Sequence, residues 1–567
     1  MKKRWAKVEQ GDEILINKLA QELNIDKSLA QILVQRGISN FEDARYFFRP
    51  TLTQLHDPFL MKDMEQAIDR ITSALQNQEK ILVYGDYDVD GTTAVTLTYS
   101  FFSQFTDQIA YYIPDRHKEG YGISNTGIEF AAANGFTLII ALDCGIRSVD
   151  QIDYAKKLGV DFIICDHHLP GDALPKAVAI LDPKRADCDY PFKELSGCGV
   201  GFKLAQAYCQ ANDLPDELYE KYLDLCMVSI AADIVPVVDE NRVLAYFGLN
   251  KLNENPCTGL KALMQIAGKT TTYSITDVVF LLAPRINAAG RMGDAKDAVK
   301  MLLSDEVSLA DEQSTFINAQ NTDRKSFDQN ITQEALAIIQ GDEVLINRKT
   351  TVVYQQNWNK GVIGIVASRL TETYYRPTIV LTESNGNYTG SARSVVGYDL
   401  YEALLSCSDL LVQFGGHKYA AGLTIKPENL AIFSQKFEDV VAASITPDLL
   451  IPEIKIDCEI DLTQIDVKFY RILLQMAPFG PQHMAPIFSS KNVVLASNPQ
   501  IVGTNHLKLN VKQQNSVIFE AIAFGLGEFE SILEPDKPFS ICYTIEENVW
   551  KDKKRLQLNI KGIKLEE

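Results

Sequence analysis

The chain has 567 residues, a length that predicts several domains at roughly 150 residues each. A hydrophobic content of 46% with 23% charged residues excludes a disordered chain, and no stretch reaches the roughly 18 apolar residues of a membrane span. Fifty-five basic against seventy-four acidic residues give a formal charge of −19, which argues against indiscriminate coating of nucleic acid but leaves room for a local basic groove.

The N-terminal MKKRWAKVEQGDEILIN begins basic without an apolar run behind it, so the chain reads as unsecreted and cytoplasmic. Its ten cysteines lie in apolar contexts with no C-x-x-C pair, as reduced core thiols would. Residues 1–70 have helical periodicity in QELNIDKSLAQILVQRGI and FEDARYFFRP and read as an accessory segment. Across 71–300 the apolar runs KILVYG, FTLIIAL, VDFIIC and AVAIL alternate with helical stretches, predicting an α/β lobe on a buried parallel sheet. The polar, Pro-free and Gly-free stretch SDEVSLADEQSTFINAQNTDRKSFDQNITQEALAII predicts a helical connector over 301–344. A second, smaller α/β lobe follows over 345–445, and HLKLNVKQQ, FSICYTIEE and RLQLNIKGIKLEE over 446–567 predict a small OB-like β-barrel.

Chemistry concentrates where the apolar runs end, the side of an open α/β sheet on which ligands bind. In GDYDVDG, Asp86, Asp88 and Asp90 crowd three carboxylates into one turn, an arrangement that is costly unless a cation neutralises it. Asp143 ends the next run, Asp166, His167 and His168 end another, and Asp233 sits in the apolar CMVSIAADIVP. Carboxylates with imidazole suit Mn²⁺ and tolerate Mg²⁺, and two metals sharing a carboxylate would make a phosphoryl-hydrolysis centre.

The series GDYDVDG, LDCG, DHH and AADIVP, each after an apolar run, resembles the four motifs of the DHH phosphoesterase superfamily. NAAGRMGD, GSARS and QFGGHKYAAG extend the match, the last two resembling the DHH-associated domain. With the C-terminal β module, the full chain resembles the superfamily's bacterial single-strand-specific 5′-to-3′ DNA exonucleases. The resemblance implies one metal on Asp90, Asp143, His167 and Asp233 and a second on Asp88 and the bridging Asp143. Other branches carry a histidine where Tyr84 stands, so that ligand is missing and Asp86 is its candidate replacement. His168 would then contact the scissile phosphate or the bridging region, and the products would be 5′-mononucleotides.

Polarity requires a pocket for the terminal phosphate, and Arg116, Ser391 and Arg393 match the family's 5′-phosphate pocket. Arg285, Asn287 and Arg291 in PRINAAGRMGD combine donors with small residues, as a nucleic-acid track needs, and Trp358, Lys360 and His417 would line the opposing wall. For Trp358 a packing role is an equal reading, and Tyr121 reads as a core or interface residue that could also stack on a base. Lys551, Lys553, Lys554 and Arg555 form either a phosphate-gripping hairpin or a solvated tip. The resemblance further implies a monomer serving recombination and repair, with single-stranded DNA as substrate and a helicase and the single-strand-binding protein as partners. Two rivals stand beside it: another DHH phosphoesterase acting on short oligonucleotides or cyclic dinucleotides, and a non-catalytic DHH scaffold.

Overall fold

The computed structural model describes residues 3–116, 118–550 and 553–566, and the chain divides into two compact units. One comprises residues 52–446 with 480–482; the other comprises residues up to 51 together with 447–479 and the chain from 483.

The larger unit is built on two sheets. The first contains β1 (Lys80–Gly85), β2 (Ile109–Tyr112), β3 (Phe136–Leu142), β4 (Asp161–Cys165) and β5 (Ala179–Leu181). They are all parallel, in the order β2-β1-β3-β4-β5. Ile81, Leu82, Val83 and Tyr84 are all buried, as are Leu138 to Leu142. Such near-continuous apolar runs are what a sheet covered on both faces demands. The helices α1 (Val89–Phe102), α2 (Gly197–Ala211) and α3 (Leu223–Ala232) pack together in the same apolar core. β1 is flanked by β2 and β3, so the chain reverses its winding direction beside β1, and a crevice opens at the carboxyl ends there.

After α4 (Ala283–Met292) the chain enters α5 (Val307–Gln340), one uninterrupted helix of 34 residues where the sequence predicts a connector. At 1.5 Å per residue it spans about 51 Å. The second sheet contains β6 (Thr351–Tyr354), β7 (Thr378–Ser384), β8 (Asn387–Arg393), β9 (Leu411–His417) and β10 (Ala420–Ile425), in the order β9-β10-β8-β7-β6. Only β6 and β7 run parallel. Between them lies α6 (Ile363–Tyr374), whose Val366, Ala367 and Leu370 are buried with Ile331, Ala335 and Ile339 of α5.

In the other unit the strands Phe488–Val502, His506–Lys512, Phe519–Ala523, Lys553–Leu565 and Phe539–Trp550 pair in that order. The last of them closes onto the first, giving a five-stranded barrel. The N-terminal residues complete this unit: Arg4–Lys7 pairs in parallel with Glu453–Ile456, and Leu29, Ile32 and Leu33 share a core with Phe488 and Tyr543. The strand Arg4–Lys7 departs from the helical pattern read over most of this segment, because its partner lies some 450 residues away and leaves no local signal. Lys551 lies outside the described residues, as does the side chain of Lys553. Lys554 pairs with Glu547 at 2.9 Å and Arg555 with Glu520 at 3.1 Å, which favours the solvated-tip reading of that hairpin.

Candidate metal centre and phosphate pocket

Three carboxyl ends of the first sheet deliver one cluster. β1 leads into the turn of Asp86 and Asp88, β3 into Asp143, and β4 into Asp166, His167 and His168. Asp88 caps α1, its Oδ1 accepting the Gly91 N–H at 3.0 Å, and that turn closes only over glycine because a Cβ at Gly91 would lie 2.5 Å from the Asp86 carbonyl oxygen. Asp143 takes a left-handed backbone, φ 58°, which an aspartate tolerates better than a branched residue. Gly197 opens α2 against it; a Cβ there would stand 2.6 Å from the Asp143 Cβ.

The ligand atoms converge chiefly in two overlapping groups, with a third, Asp143, His167 and His168, sharing members with them. The Nε2 of His167 lies 3.1 Å from Asp143 Oδ1 and 3.6 Å from both Asp90 Oδ2 and Asp233 Oδ2. Asp86, Asp88 and Asp143 form the other group, with one oxygen of each within 4.8 Å of the others. Asp143 belongs to both. Tyr84 belongs to neither: it is buried in an apolar core with Leu82 and Ile139, where its hydroxyl donates to the Gly122 carbonyl at 3.0 Å and its ring stacks on Tyr112.

Electrostatics favour a cation here. Burial and the neighbouring acids hold the carboxyls of Asp86, Asp88 and Asp143 above the ordinary range, and burial with Asp90 and Asp88 pushes Asp233 up to about 8. Asp86 Oδ1, Asp143 Oδ1 and both ring nitrogens of His167 are buried without a hydrogen-bond partner, a cost that ligation removes. Oxygen-rich donors with one imidazole and no thiolate fit Mn²⁺ or Mg²⁺. Asp90 is tied down by the Cys198 N–H and the Ser229 hydroxyl at Oδ1 and by the Gly197 N–H at Oδ2, each at 2.7 Å, and Oδ2 also faces His167.

His168 is held differently. Its Nδ1 lies 2.8 Å from Asp166 Oδ1, and its Nε2 lies 3.2 Å from the Tyr121 hydroxyl. Burial lowers its pKa, but the hydrogen bond and charge of Asp166 outweigh this and raise it to about 9; the same pair brings Asp166 to about 2 against its own burial. Asp166 is therefore an orienting carboxylate, a role that the residue-by-residue reading of the motif did not assign.

A cavity of about 540 Å³ adjoins the cluster, bounded by Arg116, Arg291, Lys360, Ser391 and Arg393. Arg116 lies over Tyr87, its guanidinium carbon 4.8 Å from the ring centroid, and Arg393 donates to Ser391 Oγ at 2.9 Å. Burial and the surrounding guanidinium groups lower Arg291 to about 10, and burial and Arg116 lower Arg393, so these cations crowd one another with little counter-charge. Arg285 and Asn287 do not line this cavity; Arg285 Nε donates to Asn318 on α5 at 3.0 Å and Asn287 is half-buried on α4. Trp358 is 5% exposed, packs beside Val362 and Ile363, and donates Nε1 to Glu334 at 2.8 Å, the packing reading rather than a cavity wall. His417 is exposed at the end of β9, next to Lys418 and Tyr419 of the hairpin.

The family comparisons cover the same regions. Residues 80–230 match the DHH family N-terminal domain, 347–443 the DHHA1 domain and 456–562 the RecJ OB domain. The chain is 38% identical over 571 residues to the single-stranded-DNA-specific exonuclease RecJ of Bacillus subtilis, covering all of this chain and 71% of that one. It is 31% identical to RecJ of Escherichia coli, over 89% of this chain and 90% of that one. The crystal structure of RecJ with Mn²⁺ from Thermus thermophilus superposes with a TM-score of 0.86 at 25% identity, over the whole of this chain and 80% of that one. A manganese-bound exonuclease RecJ aligns over 70% of this chain and 98% of its own, at 29% identity and a TM-score of 0.61. With three domains matched in order and identity sustained along its whole length, the chain belongs to the RecJ family of DHH phosphoesterases.

Proposed function

We propose that the protein is a metal-dependent, single-stranded-DNA-specific exonuclease that degrades from the 5′ end and releases 5′-mononucleotides. The observation that carries this reading is the adjacency of two unlike sites in one crevice: a buried acidic cluster built to hold cations, and a cationic cavity built to hold an anion. In this reading Asp90, Asp143, His167 and Asp233 hold one metal, and Asp86, Asp88 and Asp143 the other. The chemistry that Mn²⁺ or Mg²⁺ supplies at such a centre is the acidification of a bound water and the neutralisation of charge building on the phosphate.

The protein's own groups do the rest. The Arg116, Ser391 and Arg393 fork grips the terminal phosphate, with Arg291 and Lys360 beside it, and sets which end of a strand enters. His168, kept protonated by Asp166, directs an N–H at a phosphate oxygen of the scissile group, with Tyr121 marking where that oxygen would lie. The barrel unit supplies further single-strand affinity. The protein acts as a cytoplasmic monomer in recombination and repair, behind a helicase and alongside the single-strand-binding protein.

Matched substrates test the class. With Mn²⁺ present, a long single strand should be digested far faster than the same sequence as blunt duplex or than a cyclic dinucleotide. Faster turnover of the cyclic dinucleotide would move the protein to another DHH phosphoesterase activity.

A further inference from the structure

Strand order arranges charge along the carboxyl ends of the first sheet. β2, at one edge, leads to Arg116; β1, β3 and β4, in the middle, lead to the acidic cluster; β5, at the other edge, leads to Lys184 three residues past Leu181. Four strand spacings separate those edges, about 19 Å in all. Arg147 follows β3 and reaches toward the β5 side: its exposed side chain donates Nε at 2.7 Å to the carbonyl of Leu169 in the loop after β4.

The two cationic groups flank the cluster on different sides. Arg116 bears on Asp86 and on Tyr87, and Arg291 bears on Tyr87 as well. Lys184 bears instead on Asp233 and His167, and Lys184 and Arg147 both bear on His417 from the second sheet. Lys184, its own side chain 19% exposed, pairs with Glu194 at 3.2 Å, and its backbone N–H donates to Asp182 at 2.7 Å. A polyanion whose terminal phosphate sits in the cavity on the β2 side, and whose next phosphodiester lies at the acidic cluster, must leave across the β5 side. Its following phosphates would meet the acidic wall of Asp233 unless cations intervene.

We propose that Arg147 and Lys184, faced by His417, form a second phosphate site that holds the strand backbone on the 3′ side of the scissile bond. This rests on the exonuclease reading above and adds to it the path of the strand, from the β2 edge to the β5 edge. The site recognises phosphodiester charge and not base identity, so it acts on any sequence.

The test compares the protein on a 5′-phosphorylated strand of about twenty nucleotides and on a 5′-phosphorylated dinucleotide, both with Mn²⁺ and over a range of salt. For Arg147→Ala and Lys184→Ala the ratio of kcat/KM, long strand over dinucleotide, should fall about tenfold. The logarithmic salt slope on the long strand should become shallower by about 0.7 for each phosphate that the variant no longer neutralises. Lys184→Arg should retain the ratio, and Glu194→Gln, which removes only the ion pair, should leave ratio and slope as in the wild type. Wild-type ratios and slopes in both alanine variants would overturn the proposal, as would a Glu194→Gln variant that reproduces Lys184→Ala. A wild-type protein inert on both substrates would instead bring down the exonuclease reading on which it rests.

Discussion

Asp143 is the residue on which the site turns. It is buried, it belongs to both ligand groups, and its own hydrogen-bonding capacity is unmet at Oδ1. In the metal-free protein it is one more buried acid among others that disfavour its ionisation, so its removal relieves the fold while disabling the chemistry. Asp143→Asn should abolish strand cleavage and raise the melting temperature in EDTA by about 2 to 4 °C, measured by calorimetry. A variant that cleaves normally would refute the bridging role. The residues after β1, β3 and β4 were legible in the sequence because each group follows an apolar run, and the fold has only one place to put the ends of parallel strands; Asp233 instead stands at the end of α3. The separate place of His168 was less legible: that it is held by Asp166 while the adjacent His167 faces Asp143 shows only once the two contacts are seen. The inward turn of Trp358 depends on Glu334, a residue in another element, which no local pattern signals.

At the scale of elements, the cavity exists because α4 and the start of α6 approach closely. Arg291 Nη1 donates to the Gly361 carbonyl at 3.3 Å, and a Cβ on Gly361 would lie 2.5 Å from the Arg291 carbonyl oxygen. Backbone cannot yield there as a side-chain tip would, so Gly361→Ala should force the two elements apart by a fraction of an ångström and displace Arg291 and Lys360 from the cavity. The expected result is about a tenfold loss of preference for a 5′-phosphorylated strand over its 5′-hydroxyl counterpart, read from kcat/KM. An unaltered preference would show that this seam does not position the cavity. The two sheets and the long connector were legible from hydrophobic period and from the absence of proline and glycine. The join between the N-terminal residues and the barrel unit was not: Arg4–Lys7 is a short polar strand whose pairing is decided by a partner far along the chain.

For the whole molecule, a net charge of −19 coexists with a cluster of buried acids and a nearby group of crowded cations. Cation binding to the native state alone should stabilise the protein by mass action, about 2.7 kcal/mol at a hundred times the dissociation constant. Calorimetry with and without Mn²⁺ should show that rise for the wild type and little of it for Asp143→Asn. Equal stabilisation of both would place the cation elsewhere.

The most direct measurement is the digestion of one long single strand carrying a label at its 5′ or its 3′ end, with Mn²⁺, with EDTA, and with the Asp143→Asn variant. The expected result is rapid Mn²⁺-dependent release of labelled 5′-mononucleotide, a 3′ label retained on shortening fragments, and no release with EDTA or the variant. Loss beginning at the 3′ end would contradict the polarity and the role given to Arg116, Ser391 and Arg393, and cleavage that persists in EDTA would contradict the metal centre itself.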